Sequence, residues 1–157
     1  MAISNKKLLV FIPSIEDGGV EKNLFIILNY LKLKIENIHL LTFDDSKKNY
    51  FNNKIKIINP IFNFSFLKGR YPKYFLCLLL LIKTLIFDRN YLILSFQANI
   101  YALIISKIFN LKIISRSNSS SAGWSSNKIK QSIFSYFFKK ADKIIVNSKD
   151  FKKEMDK

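Results

Sequence analysis

One cysteine and one histidine are all that these 157 residues hold of the two commonest soft metal ligands. A lone Cys77 cannot close an intrachain disulfide, and with a lone His39 it cannot build a Cys/His zinc site. Disulfide scaffolds are therefore excluded, no metal site is expected, and the cysteine usage fits a reducing compartment. Cys77 lies inside an apolar run and reads as core. Only four glycines and three prolines interrupt the chain, which argues against low-complexity and disordered classes. Long apolar runs are also missing. The longest, residues 74–87, carries Lys83 and falls short of the ~20 residues that a bilayer-spanning helix needs. It reads instead as a buried helix covered on several sides. The apolar run before Pro13 is shorter than a signal-peptide core, so a cytoplasmic protein is expected and the sequons at Asn63 and Asn118 carry little weight.

Acidic residues are scarce: 11, against 26 lysines and arginines, for a formal net charge of +15. Two explanations stay open. The charge attracts anionic partners such as lipid headgroups, nucleic acid or phosphorylated ligands, or it reflects a general abundance of Lys, Ile and Asn with lysines scattered over a solvated surface. Lys68, Arg70 and Lys73 precede the long apolar run, where they could meet lipid phosphates. What is plentiful is core material: 49% hydrophobic residues with fifteen phenylalanines, enough for one domain spanning 1–157.

The periodicity alternates between two kinds of segment. KLLVFIP, NIHLLTFDD, NKIKIINP, YLILSF, LKIISR and DKIIVNS have strand length and β-branched or apolar content. The first helical segment places Leu24, Ile27, Leu28 and Leu31 on one face, and a second spans about 72–87. A third begins near Asn99, a candidate cap, and a fourth places Ile129, Ile133, Tyr136 and Phe137 on one face. A last helix is expected from Lys149. Alternating strands and helices predict an α/β fold, a Rossmann-like doubly wound and mostly parallel sheet flanked by helices.

Ligands of such sheets bind outside the carboxyl ends of the strands. The segments that leave the expected strands are PSIEDGGVEK, SFQAN, SRSNSSSAGW and VNSKD, all more polar than the strands before them. Gly18 and Gly19 either let a ligand approach the backbone ahead of a helix N-terminus or make a plain tight turn. The pattern is neither a P-loop nor a dinucleotide fingerprint. Arg116 and Asn118 could grip phosphate or sugar hydroxyls, Gln97 and Asn99 have amides suited to hydroxyls, and Glu21 either complements the helix dipole or orients a ligand hydroxyl. His39 lies mid-strand and reads as structural. No catalytic acid, base or nucleophile stands out, so the catalytic residues stay unassigned.

The glycine loop IPSIEDGGVEKNLFIILNYL, the strand IHLLTF, the segment IISRSNSS and the closing KKADKIIVNSKDFKKEM together resemble the amino-terminal half of a family-4-type glycosyltransferase of the GT-B fold. The resemblance covers nearly the whole chain and rests on the order and spacing of its motifs. It implies a domain that binds the sugar acceptor, with the glycine loop facing the diphosphate of an activated sugar. Carried over residue by residue, it puts Gly18, Gly19 and Glu21 in the loop, Arg116 and Asn118 at the fifth strand end, and Asn147 with Ser148 near the domain crossing. Many relatives have a histidine after the fifth strand; this chain reads SRSNS there.

The family continues into a second Rossmann-like domain that holds the nucleotide-sugar donor, which these 157 residues do not include. The expected function is thus the acceptor-binding half of a retaining glycosyltransferase. It would act on a cell-envelope glycan or lipid-linked acceptor and be inactive in transfer by itself. No cofactor beyond the nucleotide sugar is implied. The competing expectation is a noncatalytic domain that docks on an anionic membrane or on another protein, at the inner face of the membrane. Nucleic acid is not an expected partner, because no recognition helix or aromatic platform is visible.

Overall fold

A computed structural model describes residues 6–16, 18–44, 51, 55–60, 69–117, 126–147, 149 and 152–153. Six strands form one all-parallel sheet: β1 (Lys7–Phe11), β2 (Ile38–Leu41), β3 (Ile55–Ile58), β4 (Tyr91–Ser95), β5 (Ile113–Ser117) and β6 (Lys143–Val146). Their order across the sheet is β3-β2-β1-β4-β5-β6. The chain is therefore Rossmann-like and doubly wound, with its reversal of strand order between β1 and β4. Four helices flank the sheet among the described residues: α1 (Gly19–Leu31), α2 (Arg70–Phe87), α3 (Asn99–Ile108) and α4 (Lys128–Phe138).

Parallel strands covered on both faces read as continuous apolar runs rather than alternating ones, and β1 is the clearest case. Leu9 and Phe11 point into a core that contains Cys77, Leu81 and Leu85 of α2 and Ala102 and Leu103 of α3. Leu8 and Val10 point the other way, against Leu24 and Leu28 of α1. The helical face expected for α1 is thus its core face. Cys77 is fully buried, and burial pushes its thiol up to about 12, so it packs as a small apolar side chain.

α2 starts after Gly69, whose φ of 109° is open to glycine and poorly tolerated by other residues. Pro72 follows in the first turn, where its missing N–H costs nothing. α2 is not covered on several sides, as its composition suggested. Cys77, Leu81 and Leu85 face the sheet, whereas Tyr71, Phe75, Leu79, Ile86 and Phe87 are exposed. Apolar content here exceeds what one buried stripe can use.

The face expected for α4 is also corrected. Ile129, Ile133 and Tyr136 are exposed, Phe137 of that face is half-buried against the core, and the buried residues are Phe134 and Phe138, stacked with ring centroids 4.4 Å apart. Apolar residues occur on more than one side of this helix, so spacing alone could not select the inner one. Asn127 caps it, its Oδ1 accepting from Ile129 N at 2.9 Å and Lys130 N at 3.3 Å. The expected last helix falls mostly outside the described residues, as does Lys68. Phe134→Ala should destabilise the protein by ~3–5 kcal/mol and Ile129→Ala by less than ~0.5 kcal/mol, measured by urea unfolding. The reverse ranking would restore the face that spacing suggested.

Candidate functional site

The carboxyl ends of β1 and β4 diverge at the reversal of strand order, and side chains from both sides bridge the opening. Ser14 N, after β1, donates to Gln97 Oε1 at 3.2 Å, and Gln97 Nε2, after β4, donates to Glu21 Oε1 at 3.2 Å. Glu21 belongs to the first turn of α1 yet is only 5% exposed. Its carboxylate folds back over the helix start. A Cβ on Gly18 would meet Glu21 Oε2 at 2.7 Å, closer than real Cβ atoms come to such a neighbour.

Gly18 therefore answers to its own helix: it leaves room for Glu21. Its backbone is extended (φ −128°, ψ 178°), so left-handed freedom is not what the position needs. Gly19 differs. It is exposed, and a Cβ there would meet nothing within 4 Å. A side chain at 18 would displace the Glu21 carboxylate, whereas one at 19 would meet nothing.

Beyond β4 the chain turns through Ala98, a non-glycine residue in the left-handed region at φ 51° and ψ 34°. That conformation costs roughly 1–2 kcal/mol for a residue with a Cβ, and it sits between Gln97 of the bridge and Asn99. Asn99 is not the cap that the sequence suggested. It is the first helical residue of α3, and Ala98 occupies the cap position without a side-chain bond. The Asn99 amide instead ties strand ends together: Nδ2 donates to Arg116 O at 2.8 Å, and Oδ1 accepts from Ser95 Oγ at 2.6 Å.

Arg116 is 3% exposed, with its guanidinium 5.4 Å from the Phe96 ring, and burial pushes its pKa down. Its Nη2 donates to Asn147 Oδ1 at 2.9 Å. The arginine thus lies beneath the edge and holds Asn147, itself exposed at the end of β6. Asn118 and Ser148 lie outside the described residues. Of the residues singled out from sequence, Glu21 and Gln97 meet directly, as do Arg116 and Asn147, and Asn99 touches the backbone of Arg116.

Several residues of this edge escaped the sequence. Asp44, after β2, accepts from Ile15 N at 2.9 Å and pairs with Lys73 at 2.7 Å. Ser14 Oγ stands 3.2 Å from both the Asp44 and Glu16 carboxylates. Arg70 binds Glu16 through Nε at 2.8 Å and through Nη2, and this pairing holds the Glu16 carboxyl below its usual range. Arg70 and Lys73, expected near lipid phosphates, are thus each engaged with an acid beside the β1 loop. Asp44 and Ser14 both follow a strand, so the strand-end rule could have found them. Their pairing with α2 could not be read.

His39 lies in the amino-terminal half of β2, away from the carboxyl edge. Tyr91, the first residue of β4, brings its hydroxyl within 2.8 Å of His39 Nδ1, and burial lowers the histidine's pKa. An acid or base role at the carboxyl edge is excluded by position. Among the described residues no group of three His, Cys, Asp or Glu side chains could hold a metal ion, and no helix is long and apolar enough to cross a membrane.

The edge offers hydroxyl-binding chemistry: a buried carboxylate, two amides and an exposed glycine at a helix start. A carboxylate already at the amino end of α1 complements the dipole there, which disfavours a second anion at the same place. Two measurements check these assignments. Gly18→Ala should cost up to ~1.5–3 kcal/mol, the value of a hydrogen bond to a charged group, and much less in a Glu21→Ala background, a coupling of at least ~1 kcal/mol in a double-mutant cycle. Ala98→Gly should stabilise by ~0.5–1 kcal/mol, because relief of the left-handed strain outweighs the added chain entropy, raising Tm by roughly 1–4 °C. A scan against protein-family models finds no match for this chain, and a search of curated proteins finds no significant one.

Proposed function

We propose that this chain is the acceptor-binding half of a retaining glycosyltransferase of the GT-B type, taking a glycan or lipid-linked sugar at the carboxyl edge of its sheet. The observation that carries the reading is the Ser14–Gln97–Glu21 bridge across the β1/β4 opening. A fixed, largely buried carboxylate beside an amide is suited to accept from and donate to sugar hydroxyls, which need partners of both kinds. The β3-β2-β1-β4-β5-β6 order supports it, because that topology opens a ligand crevice at this point. So does the resemblance of the glycine loop and of the ADKIIVNS segment to such glycosyltransferases.

Glu21 refines what the loop would recognise. Its carboxylate at the start of α1 favours a hydroxyl-bearing acceptor over the diphosphate that the resemblance puts there. Gly19, exposed and unconstrained by its neighbours, is where an acceptor ring would come closest to backbone. In this family the donor is held by a second domain, and transfer needs both substrates aligned in a water-poor cleft. The partners of the reading are therefore a nucleotide-sugar donor bound outside these residues and an acceptor bound at this edge.

Saturation-transfer NMR on the 157-residue chain, with a panel of glycans and polyprenyl-diphosphate-linked sugars, tests the reading. Binding of at least one acceptor is expected, with no turnover of nucleotide sugars by the chain alone. Gly19→Val should weaken that binding by about tenfold, equivalent to ~1.4 kcal/mol, while Tm stays within a degree or two. Absence of binding across the panel, or an unchanged affinity in Gly19→Val, refutes the assignment of the loop.

A further inference from the structure

α3 packs against both α2 and α4, so these three helices form one layer on the sheet face opposite α1. None of the three contains an aspartate or glutamate. For a surface layer this is unusual chemistry, because helices facing water ordinarily mix both signs. Its outward side is also apolar. On α2, Phe75, Leu79 and Ile86 recur at helical spacing opposite the buried Cys77, Leu81 and Leu85, with Lys83 exposed among them. On α3, Tyr101 and Ile108 are exposed. On α4, the exposed Ile129, Ile133 and Tyr136 lie opposite Phe134 and Phe138, and the exposed Lys128 and Lys130 flank that stripe on its two sides.

We infer that the outer surface of α2, α3 and α4 docks on an anionic lipid surface. Charge complementarity selects this occupant. A second copy of the chain would oppose one acid-free layer to another, placing lysines against lysines with no carboxylate on any of the facing helices. Nucleic acid matches the charge but gains little from aliphatic side chains such as Leu79, Ile86, Ile108 and Ile129, since its affinity comes from phosphate contacts and base stacking. A membrane interface takes both components at once: apolar side chains enter the headgroup and acyl boundary while flanking lysines reach the phosphates. Lys140 extends the same pattern past the end of α4, its Nζ 5.1 Å from the Tyr136 ring centroid. This surface is separate from the carboxyl edge and does not depend on the acceptor-binding reading.

Co-sedimentation of the 157-residue chain with phosphatidylcholine vesicles, with and without phosphatidylglycerol, tests the inference at low and high salt. Binding is expected to the phosphatidylglycerol vesicles alone and to weaken as salt rises. Lys128→Glu with Lys130→Glu should reduce partitioning by at least about tenfold, given the contribution of each basic residue near such a surface. Ile129→Ser with Tyr136→Ser should reduce it several-fold at unchanged Tm, which a purely electrostatic attraction would not require. Lys22→Glu with Lys34→Glu removes the same charge from the α1 side and should change partitioning less than about twofold. Equal losses in the two charge-reversed pairs would overturn the assignment, leaving net charge alone as the cause. Tighter binding to a DNA oligonucleotide than to vesicles, or salt-insensitive dimerisation in sedimentation velocity without vesicle binding, would overturn it in favour of those partners.

Discussion

β1 is hydrogen-bonded to a parallel neighbour along each edge and buried on each face, and together with β4 it forms the centre of the sheet. Because its partners β2 and β4 belong to crossovers that run in opposite directions, the loops that follow β1 and β4 separate at their ends. The opening is a consequence of chain winding, not of any particular side chain. What the side chains decide is how it is lined. Pro13 O receives Phe43 N at 3.0 Å and Phe11 O receives Phe96 N at 3.0 Å, so backbone pairing continues past the strands before the polar residues begin.

From there the lining is continuous. Ser14 joins the Gln97–Glu21 pair to the carboxylates of Glu16 and Asp44, which α2 neutralises through Arg70 and Lys73. The Arg70–Glu16 pair does little for overall stability, since both side chains are substantially exposed and screened. The less exposed Lys73–Asp44 pair acts on position. The bond that Ile15 N donates to Asp44 Oδ2, with Lys73 bound to the other carboxylate oxygen, fixes the chain where it leaves β1. On the far side, Asn99 and Arg116 perform the same service for β5 and β6, so the edge is braced from one side of the opening to the other.

The elements of the fold were legible because each local signal agreed with the next: β-branched runs, apolar stripes and polar segments between them. Strand order was not, since it depends on which distant runs pair, and six similar apolar strands carry no label of their neighbours. The misread coverage of α2 and the misread face of α4 have one physical cause: both helices carry apolar residues beyond the stripe that the sheet can cover, and excess of this kind makes periodicity ambiguous. At the edge, Glu21, Gln97 and Arg116 were found by their place at or after strand ends, and Asn147 through the resemblance. That Glu21 bonds Gln97, or that Arg116 lies under Asn147, required knowing that β1 adjoins β4 and β5 adjoins β6. Asn99 failed as a cap for a subtler reason. The left-handed turn at Ala98 advances the helix start by one residue, and nothing about an alanine announces a positive φ.

The single layer made by α2, α3 and α4 also fixes a direction. Strand axes run along the sheet, so the carboxyl edge opens at right angles to the outward normal of that layer. With the layer resting on a lipid surface, the β1/β4 opening would look sideways along the leaflet rather than down into it. It would stand at least one helix thickness, ~10–12 Å, above the headgroups. A sugar carried on a lipid would then reach it only when its polar head extends well clear of the bilayer, which sets a minimum reach for any lipid-linked acceptor.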